Sequence, residues 1–306
     1  MDDRERWEKL FLLYNKELSD TFDKVMADCE NEYQVNDACM QDRLRNHVLN
    51  NMQAWYNKPI ASFGNKTPAE MIDAIHTIEE AVSCVKIASF SCDDDLPDYL
   101  KIKLGSFGAD SIDHLLEIAK TPSWEGDYDS EKAPEEEILC AAMALRILGE
   151  WQVEQTLDEI LAKFVGTKMP DELMADAFKS YIAGIGDAAV PYLLRYLEEA
   201  FLRDDDLIGA YEYLIITLTL AAQETKDDKT FACLRTCFRA MPRKVIGAIC
   251  LGDYGDPRGI AVLKGYLDRN EGKFDRQEFY EILSSIKRLG GDTSDIKDPF
   301  KDFSTH

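Results

Sequence analysis

Five stretches of the sequence repeat one pattern: an apolar helical run, a tight turn that usually carries glycine, and a second amphipathic run. They span 100–119, 142–164, 178–200, 245–268 and, truncated, 279–291. A helical hairpin of this kind has an apolar face and nothing of its own to bury it against, so copies must stack on one another. The expected architecture is therefore an all-α chain, an α–α superhelix in which hairpins pack in series. Such a chain favours a broad recognition surface over a deep catalytic pocket.

The second helix of each hairpin carries the clearest periodicity. Ile112, Leu115, Leu116 and Ala119 fall at i, i+3, i+4 and i+7, as do Leu157, Ile160, Leu161 and Phe164, and Val190, Leu193, Leu194 and Leu197. That spacing lines one face of an α-helix. Ile260, Leu263 and Leu267 repeat it with Lys264 at one apolar position. Strand-period alternation does not run for any useful length. With Gly108, Gln152, Gly186 and Gly255 as equivalent turn positions, the intervals are 44, 34 and 69 residues. The last is twice its predecessor and implies a further hairpin over 211–240, its turn a polar stretch without glycine at 223–229. The long first interval holds a turn-rich insertion, 121–134, expected as an exposed loop. Pro134, Pro170 and Pro257 mark helix starts, and Asp256 is placed to cap the last of them.

Residues 1–95 are less regular and read as a helical N-terminal region or cap, with helices near 4–28, 37–56 and 67–91. The acidic run 93–95 and Pro97 mark the join to the repeats, 96–291, and a polar tail follows over 292–306. Thr67 as N-cap, Pro68 at the first helical position and Glu70 at the third form a capping box. The surrounding stretch, 55–75, is similar to a short segment of some bacterial antitoxin tails.

The net charge of −23 bounds the partners. Residues 1–150 carry 15 Lys and Arg against 31 Asp and Glu, and residues 151–306 carry 20 against 27. Such a surface repels nucleic-acid phosphates and anionic membranes, suits a basic protein partner, and keeps the chain soluble. No duplex nucleic acid, no membrane and no cofactor is expected. The N-terminus lacks a signal-peptide pattern, and the most apolar stretch, 211–222, is too short to span a bilayer, so the expected location is cytoplasmic. Eight cysteines are scattered without a disulfide framework or a CxxC pair. Cys233 and Cys237 lie one helical turn apart and read as small apolar fillers.

The turns GDAAVPYLL at 186–194 and LGDYGDPR at 251–258 resemble those of HEAT repeats, in particular the short repeats of phycobilisome-lyase-type and other bacterial HEAT-like proteins. The resemblance covers about residues 96–291 and implies a solenoid. Metal-dependent hydroxylases of this class hold iron with His-Glu pairs, and no histidine here precedes a glutamate. HEAT-like DNA glycosylases need a basic groove, against which the charge argues. What remains is a non-enzymatic interaction scaffold, with a HEAT-like lyase or cofactor-handling enzyme as the alternative. The candidate partner-binding residues are Arg195, the cluster Arg235, Arg239 and Arg243 with Lys244, and Tyr254 near a turn. For the cluster, a solvated face paired with nearby carboxylates is the competing explanation.

Overall fold

The structure is a computed structural model and describes residues 2–27, 38–92, 95–126 and 134–300. Cys29, Asp93, Asp94, residues 127–133 of the 121–134 insertion and His306 lie outside the described residues, as does the side chain of Cys39. Every regular element among the described residues is helical, apart from two isolated bridges, Ile60 to Lys66 and Glu125 to Pro170. In chain order the α-helices are α1 (Asp3–Ala27), α2 (Ala38–Tyr56), α3 (Pro68–Asp73), α4 (Ile78–Ser91), α5 (Asp98–Gly105), α6 (Ala109–Lys120), α7 (Glu135–Glu150) and α8 (Leu157–Val165). They continue as α9 (Glu172–Ile185), α10 (Val190–Arg203), α11 (Ala210–Ala221), α12 (Asp228–Ala240), α13 (Lys244–Tyr254), α14 (Arg258–Arg269) and α15 (Arg276–Arg288). Among the described residues no helix is long and apolar enough to cross a membrane.

The chain divides into two compact units: Met1–Thr121 with Pro134–Ala144, and Pro122–Ala133 with Leu145–His306. The sequence places the join at 95–96, but α5 packs on α3 and α4, and α6 on α4. Leu100 and Leu104, fully buried, are the reason. The first hairpin, α5 and α6, thus belongs to the N-terminal unit, and the division falls inside α7.

In the N-terminal unit α1 packs on α2 and α4. Trp7, Leu10, Phe11 and Tyr14, at helical spacing, supply its buried face. Tyr14 meets Trp55 edge-on at 5.9 Å, and Tyr56 lies 4.3 Å from Tyr99. The helix expected over 67–91 is two helices. Thr67 and Glu70 form the expected capping box, and Thr77 and Glu80 form a second one. Glu80 takes the amides of His76 and Thr77, so a new helix starts at Ile78 and the chain breaks after Asp73.

From the C-terminal part of α7 onward the helices succeed one another as hairpins, α7–α8, α9–α10, α11–α12 and α13–α14, with α15 last, and α11 packs on α12 and α13 on α14. Between the paired helices, the turn holds a residue in the left-handed region: Gln152 at φ 55°, Gly186 at 69°, Lys226 at 44° and Gly255 at 72°. Gly108, between α5 and α6, has φ 65°, and Gly290, after α15, has 81°. The hairpin inferred from the doubled interval is therefore present, turning at Lys226. Gln152 and Lys226 accept a conformation that costs an L-residue about 1–2 kcal/mol, which marks the turn geometry as imposed by packing.

First helices contact first helices in succession, α9 with α11, α11 with α13 and α13 with α15. Second helices do likewise, α8 with α10 and α10 with α12. Small residues set the approach distance. A Cβ built on Gly149, three residues before its turn, would stand 2.6 Å from Tyr181 Cα, five before the next turn. Gly252 and Ser285 occupy the same two positions, and a Cβ on Gly252 would stand 3.1 Å from Ser285 Cβ. The insertion expected as an exposed loop folds inward where it is described. Trp124 is buried against Phe164 at 6.1 Å, and the Glu125 carboxylate accepts from the Lys168 and Met169 amides at 2.8 and 3.0 Å.

Candidate functional site

Of the second helices, α8 and α10 bury the whole apolar stripe read from their sequences, while α14 buries Leu263 and Leu267 and leaves Ile260 half-buried. Leu157, Ile160, Leu161 and Phe164 are buried, as are Val190, Leu193, Leu194 and Leu197. Their opposite side chains are polar, and several reach the preceding hairpin. Arg195 pairs with Asp158, Lys229 with Glu198 at 3.2 Å, and Arg258 with Asp228 at 2.7 Å. First helices are braced in the same way: Arg146 to Asp176 at 3.7 Å, Arg243 to Glu212 at 3.1 Å, and Arg288 to Asp253. Apart from Arg243 with the buried Glu212, these pairs are solvent-exposed and contribute about 0.2–1 kcal/mol each. They favour the register between hairpins, while apolar burial drives the stacking.

Arg195 is thus already engaged. Its guanidinium also lies 5.6 Å from the Tyr192 ring and 5.0 Å from the Tyr196 ring, and Tyr196 donates its hydroxyl to the Asp158 carbonyl at 3.0 Å. Arg258 sits 4.3 Å over Phe231. Its hydrogen bonds hold the Asp256 carboxyl below the usual carboxylate range. Asp256 accepts the Arg258 amide at 2.9 Å from one residue before the N-cap of α14, which is Pro257 and not Asp256 as expected from the sequence.

The cluster Arg235, Arg239, Arg243 and Lys244 is not one patch. Pro242 follows the end of α12 at Ala240, and Arg243 becomes the N-cap of α13, paired with Glu212. Lys244 turns back onto the C-terminus of α12, where its Nζ donates to the carbonyls of Phe238, Arg239 and Met241 at 2.9, 2.8 and 2.6 Å. Those carbonyls carry the negative end of the helix dipole, so the ammonium satisfies both charge and hydrogen bonding. Lys244→Met should lower stability by about 1.5 kcal/mol, the scale of hydrogen bonds to a charged group. Urea unfolding checks this, and an unchanged midpoint would refute the capping role.

Arg235 and Arg239 stay on one face of α12, four residues apart. Neither makes an ion pair among the described residues; Arg239 is exposed, and the half-buried Arg235 keeps a shielded Nε with no acceptor among them. Arg269, which sequence reasoning passed over, is a third. It lies exposed at the end of α14, its guanidinium over Gly265, and forms no ion pair among the described residues. Phe238 and Tyr266, in ring contact at 5.2 Å, join α12 to α14 here. The only sequence signal for Arg269 is its place in a last helical turn, where cations are common for dipole reasons.

Tyr254 is a correction. It is fully buried and donates its hydroxyl to the Asp227 carbonyl at 3.0 Å, tying the end of α13 to the start of α12. Burial pushes the phenol up to about 12. A core tyrosine whose hydroxyl is spent on the backbone offers no surface to a partner. Cys233, Cys237 and Cys250 are also buried, and the hydrogen bond between the Cys237 thiol and Cys233, together with burial, drives the Cys237 thiol well above its ordinary value. Among the described residues no group of three or more His, Cys, Asp or Glu could hold a metal ion.

No protein-family model matches the chain, and no curated protein and no solved structure is similar to it.

Proposed function

We propose that the hairpins of the second unit form a HEAT-like solenoid, acting as a non-enzymatic protein-interaction scaffold in the cytoplasm. The observation that carries this reading is the recurrence of one hairpin: a left-handed turn residue between paired helices, first helices on first and second on second. Side chains from four second helices then contribute to one recognition surface, which suits a partner engaged along its length better than a small substrate held at a point.

The net charge of −23 suits a basic partner over much of the surface. The C-terminal end of the second helices is the exception. Helices α12 and α14 carry six cations (Lys229, Arg235, Arg239, Arg258, Lys264 and Arg269) against the two acids Asp228 and Asp268. Arg235, Arg239 and Arg269 are the cations there without an ion-pair partner among the described residues, so this end takes an acidic segment of the partner.

Charge reversal tests both parts. Immobilised full-length protein should retain a reproducible set of proteins from native lysate at physiological salt. The double variant Arg235→Glu, Arg239→Glu should lose members of that set by about tenfold with an unchanged far-UV spectrum. If the wild-type chain retains no protein, the scaffold reading fails. If the variant retains the same set undiminished, the assignment of these arginines fails.

A further inference from the structure

The second helices carry a row of cations at one register. Arg195, Arg235 and Lys264 each follow a buried leucine (Leu194, Leu234 and Leu263), one cation per hairpin on α10, α12 and α14. Equivalent positions on packed helices stand about 8–10 Å apart. Arg195 is taken by Asp158 of the preceding hairpin, whereas Arg235 has no ion pair among the described residues. Lys264 is taken by a segment that follows α15. Its Nζ donates to both carboxylate oxygens of Asp295, at 2.8 and 3.0 Å.

Asp295 belongs to the segment 292–300, which leaves α15 through Gly290 at φ 81°. The segment follows α15 as α10, α12 and α14 follow their own first helices, but it stays irregular. Asp292, Asp295, Asp298 and Pro299 disfavour a helix and leave it acidic, three carboxylates against the single cation Lys297. Three side chains tie it down. Besides Asp295 on Lys264, Asp298 accepts the Tyr280 hydroxyl at 3.0 and 3.1 Å, and Phe300 lies 5.8 Å from the Phe279 ring and 6.1 Å from the Tyr280 ring. Its one backbone–backbone hydrogen bond among the described residues, Ile296 to Thr293, is internal. Asp295 is 66% exposed. A segment held by so few and such exposed anchors opens at a lower cost than the helices beneath it.

We propose that segment 292–300 is an autoinhibitory strap: an acidic stretch of this chain that occupies the Lys264 end of the cation row. It must lift before the partner's acidic segment can run from Arg235 onto Lys264. The inference rests on the scaffold reading and supplies its regulation. The chemistry is matched, because a carboxylate already lies on the row where a carboxylate of the partner would go. A short tether gives the strap an effective concentration of about a millimolar, so displacing it takes a partner with several acidic contacts. The partner's apparent affinity falls by the fraction of chains whose strap is open.

Three immobilised chains test this by the lysate proteins each retains: the full chain, a chain shortened to residues 1–291, and the full-length variant Asp295→Ala, Phe300→Ser. Both altered chains should retain about tenfold more strongly the members that the Arg235→Glu, Arg239→Glu variant loses. A synthetic peptide of residues 292–306, added in excess, should release those same members from the shortened chain. The point variant keeps the test open if the shortened chain fails to fold. Equal or weaker retention by the altered chains, or a peptide that releases nothing, overturns the strap and leaves the scaffold reading standing. If no chain retains any protein, the scaffold reading fails and the strap falls with it.

Discussion

Gly184→Leu is expected to destabilise the second unit by about 3 kcal/mol, the upper end of what overpacking costs. A Cβ at Gly184 would stand 2.3 Å from the Gly149 carbonyl oxygen and 2.5 Å from its carbon. Neither atom belongs to a side chain that can swing aside, so α7 and α9 must move apart along their whole contact. The gain in helix propensity on replacing glycine, about 0.8 kcal/mol, opposes this loss and is too small to offset it. Urea unfolding followed by circular dichroism reads the effect. A midpoint within error of wild type would show that the two helices do not cross at these glycines.

The second large effect is expected at Glu212, a carboxylate only 4% exposed. Burial pushes its pKa up; Arg243 and the Gly209 amide pull it back, and the net direction is upward. Arg243 Nε lies 3.1 Å from Oε1, yet that oxygen has no hydrogen-bond partner among the described residues, so the charge is balanced without a well-directed bond. Arg243→Met should lower stability by about 2 kcal/mol at neutral pH. That is below the 3–5 kcal/mol of a fully buried broken pair, because the arginine is 58% exposed and screened by solvent. The pH dependence has a definite sign. A carboxyl whose folded pKa lies above its unfolded value binds its proton more tightly when folded, so stability falls as pH rises from the unfolded pKa through the folded one. Losing Arg243 raises the folded pKa further. The deficit of the variant is therefore largest at neutral pH and shrinks on acidification, as Glu212 becomes neutral. Adding Glu212→Gln should remove the pH-dependent part. Urea unfolding at neutral and at acidic pH measures it, and an equal deficit at both would exclude Glu212 as the cause.

Much of the second unit is legible in the sequence because its signals are local. The apolar stripes at 157–164 and 190–197 are buried as the 3.6-residue period requires. The turn register chosen from glycine spacing lands on left-handed residues at all four positions, including Gln152, where glycine is absent. The hairpin turning at Lys226 follows from interval arithmetic alone. What escapes is non-local. Arg195 and Asp158 are 37 residues apart, and Arg258 and Asp228 are 30 apart. The partner of each cation sits about one hairpin away, beyond the i+4 window in which charge pairs are ordinarily sought. Tyr254 reads as a turn aromatic, and only packing shows that its ring is interior. Trp124 reads as part of a polar loop because its burying partner, Phe164, lies on a different helix. The break before Ile78 was available in the sequence: Thr77 and Glu80 have the spacing of a capping box, masked by the apolar run on either side.

The cross-hairpin ion pairs have a mechanical consequence. Each of them spans one step, from a hairpin to its immediate neighbour, and the close glycine contacts do the same. Cohesion in the second unit is thus largely a sum of neighbour-to-neighbour links, with one exception, where Phe164 of α8 meets Tyr213 of α11 at 6.3 Å and joins hairpins two steps apart. Opening costs least at α15, which has a brace on one side only, and progressively engages more links toward α9. A partner that grips two consecutive hairpins would clamp the link between them and add its own binding free energy to that step. Rigidity along this array would then be set locally, by where it is held.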